Sequence, residues 1–410
     1  MSDEYPKLRA VEAFPVDHDG ASVLALRDPA GYTSSVLMVP FGLLPVLKLF
    51  DGQHSIVDIQ AAIMRAHGEM VFRHTIEEMI GTLDEHGFME SPDFAERRAS
   101  IDQAFLASPT RPAAHAGGAY PGDADELRET FDRFFEQPAG PGPIARDGQP
   151  NGGGDVSGVI APHIDFHRGG PAYAWAYREM AERCPADLFV VFGTSHAGMP
   201  APFALTRKDW ETPLGAVRVD RSFVDSLETR CGASCFASEI AHRTEHSIEF
   251  QAVFLQYLYG GRRDFAIVPV LTSFAHEALM GGRPPAADPR VRSFLDAVTG
   301  TAEASGRRVA YVAGADLAHV GPRFGDPAPI SPEHLARVER EDREMLSAVE
   351  GGDAEGFFAS VARDGDRRRI CGLSPIYALL RVLNGRRGEL RHYGQWPDPQ
   401  AVVTYASVVF

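Results

Sequence analysis

The chain has 410 residues, 44% of them hydrophobic and 23% charged, the profile of a soluble globular protein long enough for two domains. Its formal net charge of −16 speaks against general affinity for nucleic acid or anionic membranes. No apolar run reaches the roughly 18 residues needed to span a bilayer. The acidic start Met1-Ser2-Asp3-Glu4-Tyr5 lacks the apolar stretch of a secretory signal. Four cysteines in a chain of this size do not make a disulfide framework, so a cytoplasmic protein is expected.

Residues 1–91 read as a unit of their own. The apolar runs Val23–Leu26 and Val36–Val39 flank Pro29-Ala30-Gly31 and predict a strand pair. Leu43–Phe50 ends at the turn signal Asp51-Gly52. Ser55 caps a helix with Ile56, Ile59 and Ile63 on one face, ended by Gly68. Thr75 opens another, with Ile76, Met79, Ile80 and Leu83 spaced for one face and Gly87 as its stop. A short strand Phe88-Met89-Glu90 completes a small winged-helix pattern. Such a domain invites a DNA-binding reading, but it carries six basic against fourteen acidic residues up to Glu90, a net of −8. Phosphate neutralisation needs the opposite sign.

A charged helix near 93–106 serves as a linker spanning 92–109, and 110–410 form the main domain. The loop Ala114–Gly122 precedes a helix near 125–135 with Leu127, Phe131, Phe134 and Phe135 on one face. Residues 138–154, rich in Pro and Gly, read as a flexible loop within the domain. From 156 onward strands alternate with helices: strands at Gly158, Leu188, Phe265 and Val309, and a closing strand at 402–410. Helices are expected near 172–183, 223–230, 247–259, 291–302, 332–349 and 375–383. The fold class is α/β, a mixed sheet of six or more strands flanked by helices.

The chemistry gathers at strand ends. The first strand runs into Pro162-His163-Ile164-Asp165-Phe166-His167-Arg168, the second into Thr194-Ser195-His196, and the Val309 strand into Ala315-Asp316-Leu317-Ala318-His319. Ligands of open α/β sheets bind outside the carboxyl ends of the strands, so three histidines there mark a site. Glu245-His246 opens a helix. Cys371 lies just before another, where a lowered thiol pKa would suit a metal ligand or a nucleophile. Cys184, Cys231 and Cys235 read as structural or surface residues. If the first strand continued, His163, Asp165 and His167 would share one face, an arrangement that suits a zinc hydrolase.

The segments Ala114–Tyr120, Ala161-Pro162-His163, Gly193–His196, Glu245–Glu249, Asp316–Phe324 and Cys371–Ile376 resemble, in order, the motifs of the Memo family. That resemblance implies the fold of the class III extradiol dioxygenases and a metal held by His163, His196 and Cys371. It makes His319 the acid/base group, with Asp316 beside it. Iron(II) is the implied ion, with copper or zinc as alternatives, since a thiolate in place of the dioxygenase carboxylate favours softer ions. Leu47–Ile59 with Leu83–Glu90 resembles the PqqD-like winged-helix family, which recognises peptides by adding a strand to a sheet edge. The tract Ile164-Asp165-Phe166-His167-Arg168 is more charged than the family pattern, and Arg168 suggests an anionic substrate, unless it pairs with Asp165. Asp165, His167, Glu245, His246, Arg323 and Tyr120 join it as substrate-binding candidates.

The expected function is a metal-dependent redox enzyme acting on a small or peptide-borne substrate. The alternatives are a non-catalytic metal- or peptide-binding adaptor and a zinc hydrolase. Neither nucleic acid nor a membrane is an expected partner.

Overall fold

Caps and alternation shape the N-terminal part of the chain. Ser55 and Asp58 form a reciprocal capping box that starts the helix Ile56–His67, and Gly68 ends it in the left-handed conformation. Ile56, Ile59 and Ile63 are buried from that helix, and Ile76 and Leu83 from the next, Arg73–Glu85. β2 (Ala21–Arg27) and β3 (Val36–Pro40) pair as the sequence predicts. A further strand, β1 (Glu12–His18), adds to β2 and makes a three-stranded antiparallel sheet. Phe88-Met89 contributes only an isolated bridge, Leu8 to Met89, rather than a strand.

The computed structural model describes residues 4–18, 20–68, 70–144, 156–231 and 235–410. They form two units, Met1–Ala107 and Ser108–Phe410, so the charged helix Pro92–Ala107 is counted with the first. The Pro/Gly-rich tract expected as a loop lies, beyond residue 144, outside the described residues.

In the second unit β4 (Thr110–Arg111) pairs with β8 (Asp209–Trp210) in a small separate sheet. The main sheet is mixed and eight-stranded. Its centre is four parallel strands in the order β5 (Gly158–Ala161), β10 (Val309–Gly314), β6 (Leu188–Thr194) and β9 (Ala266–Thr272). These are continuous apolar runs because both faces are covered. β7 (Phe203–Leu205) closes one side antiparallel to β9. On the other side β13 (Val402–Val409) runs antiparallel to β5, and also to β11 (Asp316–Val320) and β12 (Glu389–Gln395).

Close approaches identify the cover on each face. A Cβ on Gly314 would stand 2.5 Å from the Ser247 carbonyl, so the helix His246–Tyr259 lies against that face of β10. Three residues back, Tyr311 is paired with Gly158, whose Cβ would meet Leu383 and Leu379 of the helix Leu373–Leu383. Successive strand residues point to opposite faces, so the two helices sandwich the strand.

The segment after β5 departs from expectation. The helix expected from Ala172 begins six residues earlier, as Phe166–Arg183, with Asp165 as its cap. Asp316–Val320, expected at the end of the Val309 strand, is a separate strand, β11. The helix Ala354–Ala362 and strand β12 are additions to the expected elements.

Because a Cβ on Gly314 would meet the Ser247 backbone carbonyl first, with the Gln251 side chain close behind it, Gly314→Ala is expected to destabilise the second unit by about 1–3 kcal/mol. Chemical denaturation checks this, and an unchanged midpoint would contradict the close approach.

Candidate metal centre

Two hydrogen bonds fix the start of the helix His246–Tyr259 at the strand ends. Ser247 Oγ donates to the Thr194 carbonyl at the end of β6 (2.9 Å), and Gln251 Nε2 donates to the Pro162 carbonyl just past β5 (2.8 Å). His246 therefore arrives beside His163 and His196. The ring centroids are 4.9 Å apart for His163–His196, 4.5 Å for His196–His246 and 5.4 Å for His163–His246.

His163 is buried, its backbone N–H donating to Asp316 Oδ1 (2.9 Å) and its Nδ1 lying 2.9 Å from the Gly314 carbonyl. A carbonyl can only accept, so Nδ1 carries the proton and Nε2 the lone pair. That Nε2 stands 3.2 Å from Cys371 Sγ and 3.6 Å from Asp316 Oδ2. On the other side, the Glu245 carboxylate accepts from the His196 backbone N–H (2.8 Å) and lies 2.9 Å from its Nδ1. Glu245 also caps the helix, accepting from Ser247 N (3.0 Å).

Among the described residues, two groups of three offer ligand atoms within 4.8 Å of one another: His163, His196 and His246, and His163, Asp316 and Cys371. His163 belongs to both. His196 and Cys371, expected as co-ligands, fall in different groups, although Thr194 Oγ1 donates to the Cys371 carbonyl (3.1 Å) and ties the two loops together.

Burial sets the charge states. It pushes the His163 pKa down to about 3, helped by the nearby His196, and drives His246 well below the ordinary imidazole range. Both rings are neutral, as ligands must be. Burial also works against a charged His196, but the Glu245 carboxylate outweighs it and raises that pKa. Glu245 stays ionised despite burial because His196 and His246 face it. Cys371 corrects an expectation. Burial first, then the Asp316 carboxylate, push its thiol well above the usual range, so the short distance to a helix start does not make a free thiolate.

Other candidates separate by position. His319 is half-buried on β11, with Nδ1 3.2 Å from the Leu317 carbonyl and its ring edge-on to Phe324; burial lowers its pKa against the pull of Asp316. Asp316 itself is raised by burial. Asp165 and His167 do not share a strand face with His163, because the chain has already turned into a helix. Asp165 caps it and pairs with Arg168 Nε (2.6 Å), while the exposed His167 ring packs against Trp396. The strand-based zinc site is thereby overturned. Arg323 is exposed, its backbone N–H held by the Gln400 carbonyl. Tyr120 is buried and donates to Glu249.

That last contact belongs to a network the sequence did not reveal. Arg111, fully buried, reaches Glu249, the His242 carbonyl (2.8 Å) and the Glu245 carbonyl (2.8 Å). It holds the turn leading to Glu245.

Parallel strands whose carboxyl ends collect imidazoles, a carboxylate and a thiol define an α/β protein with a possible metal-binding centre. A family model described as Memo-like protein matches residues 111–409, and the chain belongs to that family. It is similar to a MEMO1 family protein of Aquifex aeolicus, 26% identical over 410 residues and 99% of both chains. It is also similar to one of Methanopyrus kandleri, 30% identical over 73% of this chain and 98% of that protein. A third, from Aeropyrum pernix, is 33% identical over 66% of this chain and 86% of its own length.

Glu245→Gln removes the charge that orients His196 and should weaken metal binding about 10–100-fold, read by calorimetry. A second expectation concerns acid stability. His242, fully buried with a pKa pushed down to about 3 by burial, is neutral in the fold but titrates near 6.5 when unfolded. The unfolded chain then binds the extra proton, so this contribution is complete above pH 6.5 and is lost as pH falls towards about 3. Stability should drop by about 1.4 kcal/mol per pH unit in that window for this group. A His242→Gln variant should show a correspondingly flatter acid-denaturation profile.

Proposed function

We propose that this chain is a metal-dependent redox enzyme with a class III extradiol dioxygenase-like main domain, working in a reducing compartment such as the cytoplasm. The observation that carries this reading is the 3.2 Å separation of His163 Nε2 and Cys371 Sγ, with the Asp316 carboxylate beside them. The donor set fits an ion: neutral imidazole, a carboxylate, and a thiol whose ionisation a cation would make favourable. His163, Cys371 and His196 would hold it, iron(II) by preference, with copper or zinc as alternatives. When bound, such an ion supplies Lewis-acid and, for iron or copper, one-electron chemistry.

The chain's own residues supply the rest. His319, neutral and with Nδ1 engaged by a carbonyl, offers Nε2 for proton transfer. Asp316 accepts from the His163 backbone and fixes the loop. Arg168 forms the pair with Asp165 that is the alternative to an anion-binding role, so no anionic substrate is assigned to it.

A second reading concerns the N-terminal unit, as a PqqD-like winged helix that binds a peptide by strand addition. Among the described residues β3 is an edge strand, paired with β2, and Val36 and Met38 are 46% and 45% exposed.

Calorimetric titration of anaerobic apoprotein with iron(II) tests the main reading. His163→Ala and Cys371→Ala should each lose at least about tenfold in affinity, as even outer-shell losses do. His319→Ala should bind like the parent, because a proton-transfer group acts mainly in the transition state. Equal loss in His319→Ala would make it a ligand and overturn the assignment.

A further inference from the structure

The three imidazoles His163, His196 and His246 cluster beside Glu245, and the proposed mixed centre uses two of them. We infer that His246 serves as an alternative third ligand to the Cys371 thiolate, completing a nitrogen-only cation seat with His163 and His196 suited to a borderline divalent ion such as zinc or cobalt. The inference rests on the metal-binding reading of this cavity but not on its redox chemistry.

The first ground is placement. The three rings offer nitrogens within 4.8 Å of one another; His196 and His246 stack 20° from parallel, so one of them turns about its Cβ–Cγ bond when an ion is shared. The second is the tautomer. The Gly314 carbonyl takes Nδ1 of His163, and the Glu245 carboxylate takes Nδ1 of His196. The same Glu245 oxygen lies 3.4 Å from Nδ1 of His246. Two of the rings, His163 and His196, thus have an acceptor at Nδ1 and present Nε2, and the third has the same carboxylate near its Nδ1 without a hydrogen bond to it. A carboxylate or carbonyl behind a ligating histidine is the usual outer-shell arrangement of imidazole metal sites. One carboxylate here bonds one ring and lies beside a second.

The third ground is rigidity. His246 opens a helix that Ser247 and Gln251 fasten to the ends of β6 and β5, so its backbone is held beside the strand ends that carry His163 and His196. Phe250 and His115 stand against it, 5.3 and 5.7 Å away between ring centroids, and His115 Nε2 is engaged by the Thr244 carbonyl. The fourth is access. His163 is buried but His196 and His246 are partly exposed, so the seat opens to solvent on one side. Three imidazoles with an open position is a donor set that zinc and cobalt accept without sulfur.

The test uses full-length apoprotein titrated anaerobically with cobalt(II), comparing the parent, Cys371→Ser, His163→Ala, and Cys371→Ser combined with His246→Gln. Circular dichroism and the thermal transition verify folding. The expected result is that Cys371→Ser still binds cobalt with ligand-field absorption and no thiolate charge-transfer band. Adding His246→Gln should weaken that binding at least about tenfold. X-ray absorption of the zinc form of Cys371→Ser provides a reading that needs no His246 variant: three imidazoles and no sulfur are expected. Loss of cobalt from folded Cys371→Ser, or fewer than three imidazoles, overturns the nitrogen-only seat while leaving the mixed centre standing. Unchanged cobalt binding in His163→Ala overturns both.

Discussion

A charged carboxylate held in the interior is the constraint on which the rest of this cavity depends. Glu245 is desolvated, which alone would neutralise it, yet its surroundings keep it ionised. Three N–H groups aim at it: the backbone and Nδ1 of His196 and the backbone of Ser247. Removing any one would leave a buried charge short of a partner, which costs far more than the bond itself contributes. The carboxylate therefore does three jobs at once. It starts a helix, orients one imidazole and stands behind a second. The buried Arg111 reaches the Glu245 carbonyl and ionises Glu249 a helical turn on, so the turn that carries Glu245 is itself fixed by a second buried ion pair.

Much of this arrangement was legible in the sequence, because buried parallel strands leave a plain signature. The apolar runs at 158, 188 and 309 predict strands, and the polar residues at their ends predict a site. Ser55 with Gly68 marks a helix by cap chemistry that needs no tertiary information. The tract after His163 is harder to read. Gly169-Gly170-Pro171 looks locally like a break, yet it lies inside the helix Phe166–Arg183. Those glycines are there for proximity: a Cβ at Gly170 would stand 2.4 Å from the Phe134 ring, and one at Gly169 2.4 Å from Ile164. Sequence spacing cannot distinguish a glycine chosen for a turn from one chosen for close packing.

β11 is hidden for a related reason. Asp316-Leu317-Ala318-His319-Val320 comes one residue after a strand, and its small residues suggest a turn. Its partner, β13, lies some ninety positions later and supplies the pairing Asp316 to Tyr405 and His319 to Val403. The strand is also anchored by Thr404, whose hydroxyl accepts from Ala318 N and donates to the buried Asp342. Asp342 in turn pairs with Arg368, whose carbonyl accepts from His319 N. Nonlocal contacts of this kind place His319, and no local pattern announces them. His246 was similarly visible as a helix opener but not as a neighbour of two strand ends.

The surroundings of His163 pose two opposite electrostatic problems. Towards Cys371 and Asp316, deprotonation of the thiol would place two negative groups around one imidazole in a desolvated pocket, and burial with the carboxylate holds the thiol protonated instead. Towards His196 and His246, the difficulty is positive: protonating a second or third ring would crowd cations around the single Glu245 carboxylate, and burial keeps His163 and His246 neutral. A divalent cation would relieve both, by stabilising a thiolate against Asp316 in one group and by taking the place of protons in the other. The fold has thus brought together groups whose individual ionisations conflict, around one imidazole whose free nitrogen is common to them all. Such a cluster costs stability unless something positive and compact is shared among its members, which is why its donors are more informative together than any one of them is alone.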